Sequence, residues 1–238
     1  MTPMEWLLAV AVVAVGALLQ GAVGFGVALV AAPFLALIDP GLVPGPMIVA
    51  ALVLTLLMAV RERRSMDVRG LGWAIPGHVI GTAGAAVLLA LVPPRGLGLT
   101  FGGLILLAVG LSAVGRAPPI RRDTLLGAGL LSGFMGTTTS VGGPPIALLL
   151  QGADGPRLRG TLAGFFFFGG VVSLVGLAAA GRFGLAEAGQ GLALVPGILV
   201  GLALSGRAAR RVDRGWVRPA VLTVAATAAV GVLVRSLG

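Results

Sequence analysis

Eight long apolar segments, separated by short connectors, make up most of this 238-residue chain. About 20 residues of α-helix cross the hydrocarbon core of a bilayer. Hydrophobic residues form 57% of the chain and charged residues 11%, which is far from the composition of a soluble domain. We therefore expect an all-α polytopic membrane protein. Six of the segments have the length of one span, and they cover residues 42–60, 70–92, 96–115, 161–180, 188–206 and 216–234.

The other two segments are interrupted by glycine and proline. Residues 4–38 are too many for one span and few for two spans with a turn, and residues 124–150 carry glycine, threonine and proline at their centre. Unwound backbone at membrane depth is tolerated only inside protein or beside a water-filled cavity. This pattern predicts discontinuous or re-entrant helices around residues 21–26 and 133–145.

One spacing of glycine and proline occurs in both interrupted segments. Gly21 precedes Pro33 by twelve residues, and Gly133 precedes Pro145 by twelve. A second motif, proline-glycine with another glycine four residues later, also occurs twice. It comprises Pro76, Gly77 and Gly81, and then Pro196, Gly197 and Gly201. We therefore expect one membrane transporter domain, residues 1–238, with two tandem repeats at about 1–115 and 124–238, because paired interruptions of this kind mark transporter substrate sites.

The seventeen basic residues, all arginine, predict the orientation of the segments. If residues 124–150 enter and leave on one side, fourteen arginines share that side, and only Arg95, Arg182 and Arg235 lie on the other. If that segment crosses fully, no bias remains. Since arginine-rich short loops mark the cytoplasmic face, we expect the fourteen inside and the C-terminus outside. Each half then has one hairpin and three crossings, so the second half is inverted relative to the first.

Two such hairpins would direct helix N-termini and glycine backbone at a common centre, which suits an anion. Gln20 and Ser132 occupy matching positions just before the two glycine motifs. Two alternatives stay open, because the glycines can serve close helix packing and the hydroxyls can bond to carbonyls of their own helix. The predicted substrate-binding residues are Gln20, Gly21, Gly24, Gly26, Ser132, Gly133, Gly136, Thr137, Thr138, Thr139, Ser140, Gly142 and Gly143.

Missing residue types argue against other function classes. The chain has no cysteine and one histidine, and its acidic residues lie in loops or at segment ends. No nucleophile with a base, carboxylate pair or metal-ligand set is in view, so we expect no enzyme, no cofactor and no metal site. A cation pump would normally carry buried acidic residues. The net charge of +9 sits in connectors, where it sets topology and contacts lipid headgroups, and no nucleic-acid motif accompanies it.

His78 follows Pro76 and Gly77 inside a predicted span. A lone histidine there can relay protons, or it can reach the interface near the connector. Because no acidic residue lies at mid-membrane, we expect an anion to move passively or with a proton on the anion itself. On that expectation His78 is dispensable.

The chain resembles the sulfite exporter TauE/SafE family, also called the toluene-sulfonate uptake permease family. The resemblance covers nearly the whole chain in order. It rests on residues 21–26 with Pro33, residues 130–136 leading to 142–145, residues 157–161, and Pro196, Gly197 and Gly201.

The resemblance implies a secondary transporter, a permease or exporter, of small sulfur-containing or organic anions such as sulfite or sulfonates. It also implies a multi-pass protein of a bacterial-type cytoplasmic membrane. The partners are then the anion and membrane lipids, with no nucleic acid, and a homo-oligomer is left open. The alternative is a non-transporting membrane assembly or scaffold protein, although packing alone gives no reason for paired helix interruptions.

Overall fold

The computed structural model describes residues 1–67, 69–92, 94–113, 117–211 and 214–237, and within these ranges the chain forms ten α-helices and no β-strand. The all-α prediction is therefore confirmed for the described residues. The helices are α1 (Pro3–Val23), α2 (Val27–Ile38), α3 (Gly45–Arg61), α4 (Ala74–Leu91), α5 (Pro94–Ala113), α6 (Arg122–Thr139), α7 (Gly143–Leu149), α8 (Gly155–Ala179), α9 (Leu185–Arg211) and α10 (Arg214–Leu237).

Five of these helices have a stretch long and apolar enough to cross a membrane. The stretches are Pro3–Val23, Ala74–Leu91, Gly96–Ala113, Gly155–Ala179 and Leu185–Gly206. Apolar stretches of this length and number indicate a multi-pass membrane protein.

Each interrupted segment forms two helices with a short break between them. The first break separates Val23 from Val27, and the second separates Thr139 from Gly143. In the first break Gly24 and Gly26 have φ angles of 110° and 117°, in the left-handed region that only glycine enters without steric cost. After each break the chain reverses direction: α2 packs back along α1, with Val27 against Gly16.

The first helix, α1, packs in parallel along α9. Gly197 of α9 lies against Val10, and Gly201 lies against Ala14. A Cβ atom added to either glycine would overlap a carbonyl oxygen of α1. The backbones of α1 and α9 therefore touch, as small residues permit between membrane helices.

A matching parallel pair is formed by α4 and α6. Gly77 of α4 lies against Leu126 of α6, and Gly81 lies against Leu130. The two proline-glycine motifs of the sequence thus make equivalent contacts with equivalent helices. Each pair joins one helix from the first half of the chain to one from the second.

One end of the bundle carries charged contacts between loops and helix N-termini. Arg157 and Arg159, at the start of α8, pair with Asp67 and Glu62, respectively. Arg122, at the start of α6, lies over the ring of Trp73, 5.4 Å from its centroid. We call this the basic end and define it as residues 61–67 with the N-termini of α4, α6 and α8.

Two other arginines lie at the far end of the bundle, which we call the opposite end. Arg182 donates to the carbonyl of Leu89, and Arg235 donates to the carbonyl of Leu37. The orientation prediction also used Arg116 and the side chains of Arg69, Arg95, Arg207, Arg210, Arg211, Arg214 and Arg218, which lie outside the described residues.

The segment formed by α6 and α7 begins and ends at the basic end. Ile120, before α6, and Ala153, after α7, border the same surface cavity together with Asp67. Between these points α6 reaches the opposite end, where the Ser140 hydroxyl donates to the carbonyl of Pro44 at 3.0 Å. The chain therefore enters and leaves this segment at one end of the bundle.

Candidate functional site

A cavity of about 80 Å³ lies between the two helix breaks. Its wall contains residues 26–29 at the start of α2 and residues 140–144 at the start of α7, together with side chains from α3, α4 and α8. One buried water requires about 10–15 Å³ by this kind of measure. The cavity therefore has room for several waters or one small ion.

Seven of the thirteen predicted binding residues line this cavity, and the breaks of both halves contribute to them. They are Gln20, Gly26, Ser132, Gly136, Ser140, Gly142 and Gly143. The other six predicted residues lie elsewhere.

Three of those six are glycines that contact other helices. A Cβ on Gly21 would lie 2.5 Å from the hydroxyl oxygen of Ser205 in α9, and one on Gly133 would overlap the carbonyl of His78 in α4. Gly24 lies against Arg159 at the basic end. These positions match the helix-packing alternative, which the sequence left open.

The remaining three are the threonines at the end of α6, whose hydroxyls already have partners. Thr137 contacts two hydroxyls, Thr82 Oγ1 at 3.1 Å and Ser173 Oγ at 2.8 Å. Thr138 and Thr139 donate to carbonyls one turn earlier in their own helix. Thr138 borders a separate cavity of about 350 Å³ near the opposite end.

Gln20 joins the end of α1 to the start of α2. Its Oε1 accepts a hydrogen bond from the amide of Val27 at 2.9 Å. Because a backbone amide only donates, the oxygen of the Gln20 side chain must face Val27, which leaves the NH₂ group as a donor at the cavity wall. The amides of Ala28 and Leu29 lie in the first turn of α2, where amides have no acceptor within the helix. This side of the cavity therefore supplies hydrogen-bond donors.

The start of α7 supplies fewer amide donors. Pro144 and Pro145 occupy its first turn and carry no amide hydrogen. The Ser132 hydroxyl donates to the carbonyl of Gly142 at 2.7 Å, which holds the break closed. The two halves thus contribute unequally, with most backbone donors on the α2 side.

Sequence reasoning did not assign three polar residues of the cavity wall to the site: Thr55, His78 and Ser173. Thr55 bonds to carbonyls of its own helix. The Nε2 atom of His78 lies 3.2 Å from the carbonyl oxygen of Gly169, and Ser173 lies one turn further along α8. The position of His78 beside Pro76 and Gly77 was the available signal, since that motif packs α4 against α6.

No side chain with a permanent charge lies among the described residues of the cavity wall. Its polar groups are amides, hydroxyls and one imidazole, and apolar residues such as Phe25 and Phe166 complete it. A mostly apolar cavity with a few polar groups in its wall is the usual composition of a small-molecule site.

Comparison with known proteins identifies the family. No match was found among curated proteins or among solved structures. The model of one family, described as sulfite exporter TauE/SafE, matches residues 8–232, which is nearly the whole chain. The chain therefore belongs to the sulfite exporter TauE/SafE family, whose members are membrane transporters of sulfite or related anions.

Proposed function

We propose that this protein is a secondary transporter of small sulfur-containing or organic anions, such as sulfite or sulfonates, and that the cavity between the two helix breaks is its substrate site. The observation that carries the proposal is the position of this cavity, where polar residues from both halves converge inside an apolar bundle. Discontinuous helices at mid-membrane form the substrate sites of many transporters.

The protein on this proposal is a single transporter domain of two inverted repeats. The pairing of helices supports it. If α1 corresponds to α6 and α4 corresponds to α9, exchanging the two halves turns the α1–α9 pair into the α6–α4 pair. The direction of the helices supports it as well. α1 ends at the basic end, where Arg61 donates to the carbonyl of Gly21, whereas α6 starts there. α5 and α10 lie antiparallel, with Gly98 against Ser236.

The anion is held by donors rather than by a fixed cation. The NH₂ group of Gln20 and the amides of Ala28 and Leu29 lie on one wall, and Ser173 lies on another. If Thr137 donates its hydroxyl hydrogen to Ser173, the hydroxyl hydrogen of Ser173 is available to the anion. Amides at a helix N-terminus also carry partial positive charge. Together they would replace part of the hydration shell of a sulfite or sulfonate group.

Sidedness follows from the arginines. The basic end faces the cytoplasm of a bacterial-type inner membrane, since arginine-rich loops stay inside. Access would alternate between the ends, with the cavity reached from one end at a time. The Glu62 and Arg159 pair closes the basic end near the first break, and the Ser140 bond to Pro44 closes the opposite end.

Sulfite flux into proteoliposomes tests this function. In the variant Gln20→Glu the carboxylate still accepts from Val27, but a negative charge replaces the NH₂ donor facing the anion. We expect flux to fall about tenfold or more, because a hydrogen bond to a charged group contributes about 1.5–3 kcal/mol. Thr227→Val is the control, since that exposed hydroxyl bonds only within α10.

If Gln20→Glu transports sulfite as fast as the wild type at an equal amount of protein, the cavity is not part of the transport pathway. Absence of flux for sulfite and for sulfonates in the wild type would favour the scaffold alternative.

A further inference from the structure

His78 is the only titratable side chain among the described residues of the cavity wall. Its side chain is buried, with 3% of the residue exposed. The Nε2 atom lies 3.2 Å from the carbonyl oxygen of Gly169, and a carbonyl only accepts, so Nε2 carries a hydrogen. The second ring nitrogen, Nδ1, is buried and has no hydrogen-bond partner.

Among the described residues, no charged group faces this imidazole from the helices packed around it. From α8 it meets Gly169 and the ring of Phe165, edge to face at 5.4 Å. From α6 it meets Gly133, which lies against the His78 carbonyl. Its own helix, α4, carries no other acidic or basic residue between Ala74 and Leu91. Buried polar atoms nearly always have hydrogen-bond partners, so the unpaired Nδ1 of His78 indicates a partner that binds there.

An anion in the cavity needs a positive charge close to it. The described residues of the wall offer it hydrogen-bond donors but no fixed positive charge, and an isolated ion in an apolar interior is costly. An anion and a protonated imidazole would neutralise each other at this site.

We propose that His78 takes up one proton at Nδ1 when a singly charged anion enters the cavity, so that a neutral imidazolium and anion pair is the transported unit. This inference rests on the proposed function. The proton comes from solvent, adds to the lone pair of Nδ1 and leaves with the anion on the other side, and no bond within the anion changes. The ligand class is then the monoanionic oxyanions, such as sulfonates and hydrogen sulfite. This proposal differs from the expectation, drawn from the sequence, that His78 is dispensable.

Methanesulfonate is the probe that separates the two sources of the proton. It is a monoanion that carries no proton near neutral pH, so any proton bound with it must come from the protein. We expect calorimetric titration in two buffers of different ionisation enthalpy to give about one proton taken up per bound anion. Because a proton binds together with the anion, the affinity for methanesulfonate falls as pH rises. The fall approaches about tenfold per pH unit at pH values where Nδ1 of the free protein carries no proton.

The single histidine gives a second readout on the unmodified protein. In protein labelled with ¹⁵N at histidine, the two ring-nitrogen signals of the single histidine should change on adding methanesulfonate to those of a ring protonated at both nitrogens. The variant His78→Gln retains an amide that can donate to Gly169 and lacks the proton acceptor. We expect it to keep its melting temperature without ligand and to lose both the proton uptake and the pH dependence of binding.

Each other outcome has a fixed meaning. Three results overturn the inference: binding of methanesulfonate without proton uptake, imidazole signals that do not change on binding, and proton uptake at the wild-type level in a folded His78→Gln variant. Binding of sulfite but not methanesulfonate also overturns it, since the proton would then belong to the ligand. If the wild type binds neither anion, the proposed function itself has failed.

Discussion

Nε of Arg159 donates to the carboxylate of Glu62 across 3.1 Å, directly beside the break between α1 and α2. A Cβ on Gly24, in that break, would lie 3.2 Å from Cγ of Arg159. The same carboxylate is 3.3 Å from Nε of Arg61, whose Nη2 donates to the carbonyl of Gly21. One carboxylate therefore ties the end of α1 to the end of α3 and the start of α8.

Replacing Arg159 should cost more stability than replacing Arg157, its neighbour on α8. The side chains of Arg159 and Glu62 are 19% and 14% exposed, whereas those of Arg157 and Asp67 are 59% and 39% exposed. We expect Arg159→Gln to lower the free energy of unfolding by about 1–3 kcal/mol. Arg157→Gln should lower it by less than about 1 kcal/mol. Denaturation in detergent measures both, and equal losses would contradict the difference in burial.

Single cysteines test the return of the α6 and α7 segment to one face. The natural chain has no cysteine, so labelling has no background. Arg121→Cys and Asp154→Cys should react with an impermeant thiol reagent only from the cytoplasmic side. Leu185→Cys, whose parent side chain is 93% exposed at the opposite end, should react only from outside. Labelling of the first two from different sides would mean that the segment crosses fully.

Glycine contacts between α4 and α6 should tolerate no methyl group. A Cβ at Gly81 would overlap the carbonyl of Leu130, whereas one at Gly84 would lie 3.7 Å from the ring of Phe134, an ordinary contact. We expect Gly81→Ala to destabilise the protein by about 1–3 kcal/mol, as overpacking does. Gly84→Ala should leave stability unchanged or slightly higher, since alanine favours helix. Melting temperature in detergent compares the pair, and similar values would argue against close backbone contact here.

The expected role of Thr138 differs between the sequence and the structure. The sequence places its hydroxyl among the anion ligands, but the hydroxyl bonds to the carbonyl of Phe134 and borders a different cavity. We expect Thr138→Val, which keeps the side-chain volume, to retain sulfite flux within about twofold of the wild type. A large loss of flux at equal protein level would return Thr138 to the site.

Helices and their interruptions were accessible to sequence reasoning because they depend on local chemistry. Runs of apolar residues form helices in a bilayer whatever their partners. Gly24 and Gly26 permit backbone angles that other residues resist, and Pro144 and Pro145 start a helix readily. Both breaks therefore lie where glycine and proline indicated them.

The composition of the site was less accessible because it depends on which helices meet. Ser173 reaches the cavity through the packing of α8, for which the sequence has no local signal, and the neighbouring Pro76 and Gly77 were the one signal for His78. The sequence placed the threonines among the anion ligands because they lie in the interrupted segment. In the structure α6 continues to Thr139, and hydroxyls inside a helix bond to the carbonyl one turn earlier.

The pairing of α1 with α9 also bears on biosynthesis. Helix α1 leaves the ribosome before α9, and its partner is available only after the seven described α-helices between them have been made. Until then the side of α1 that will meet Gly197 and Gly201 contacts lipid or the insertion machinery. Nascent chains that stop before α9 leave this side of α1 uncovered. Membrane insertion of the early helices therefore precedes their assembly, and the second half of the chain completes the folding of the first.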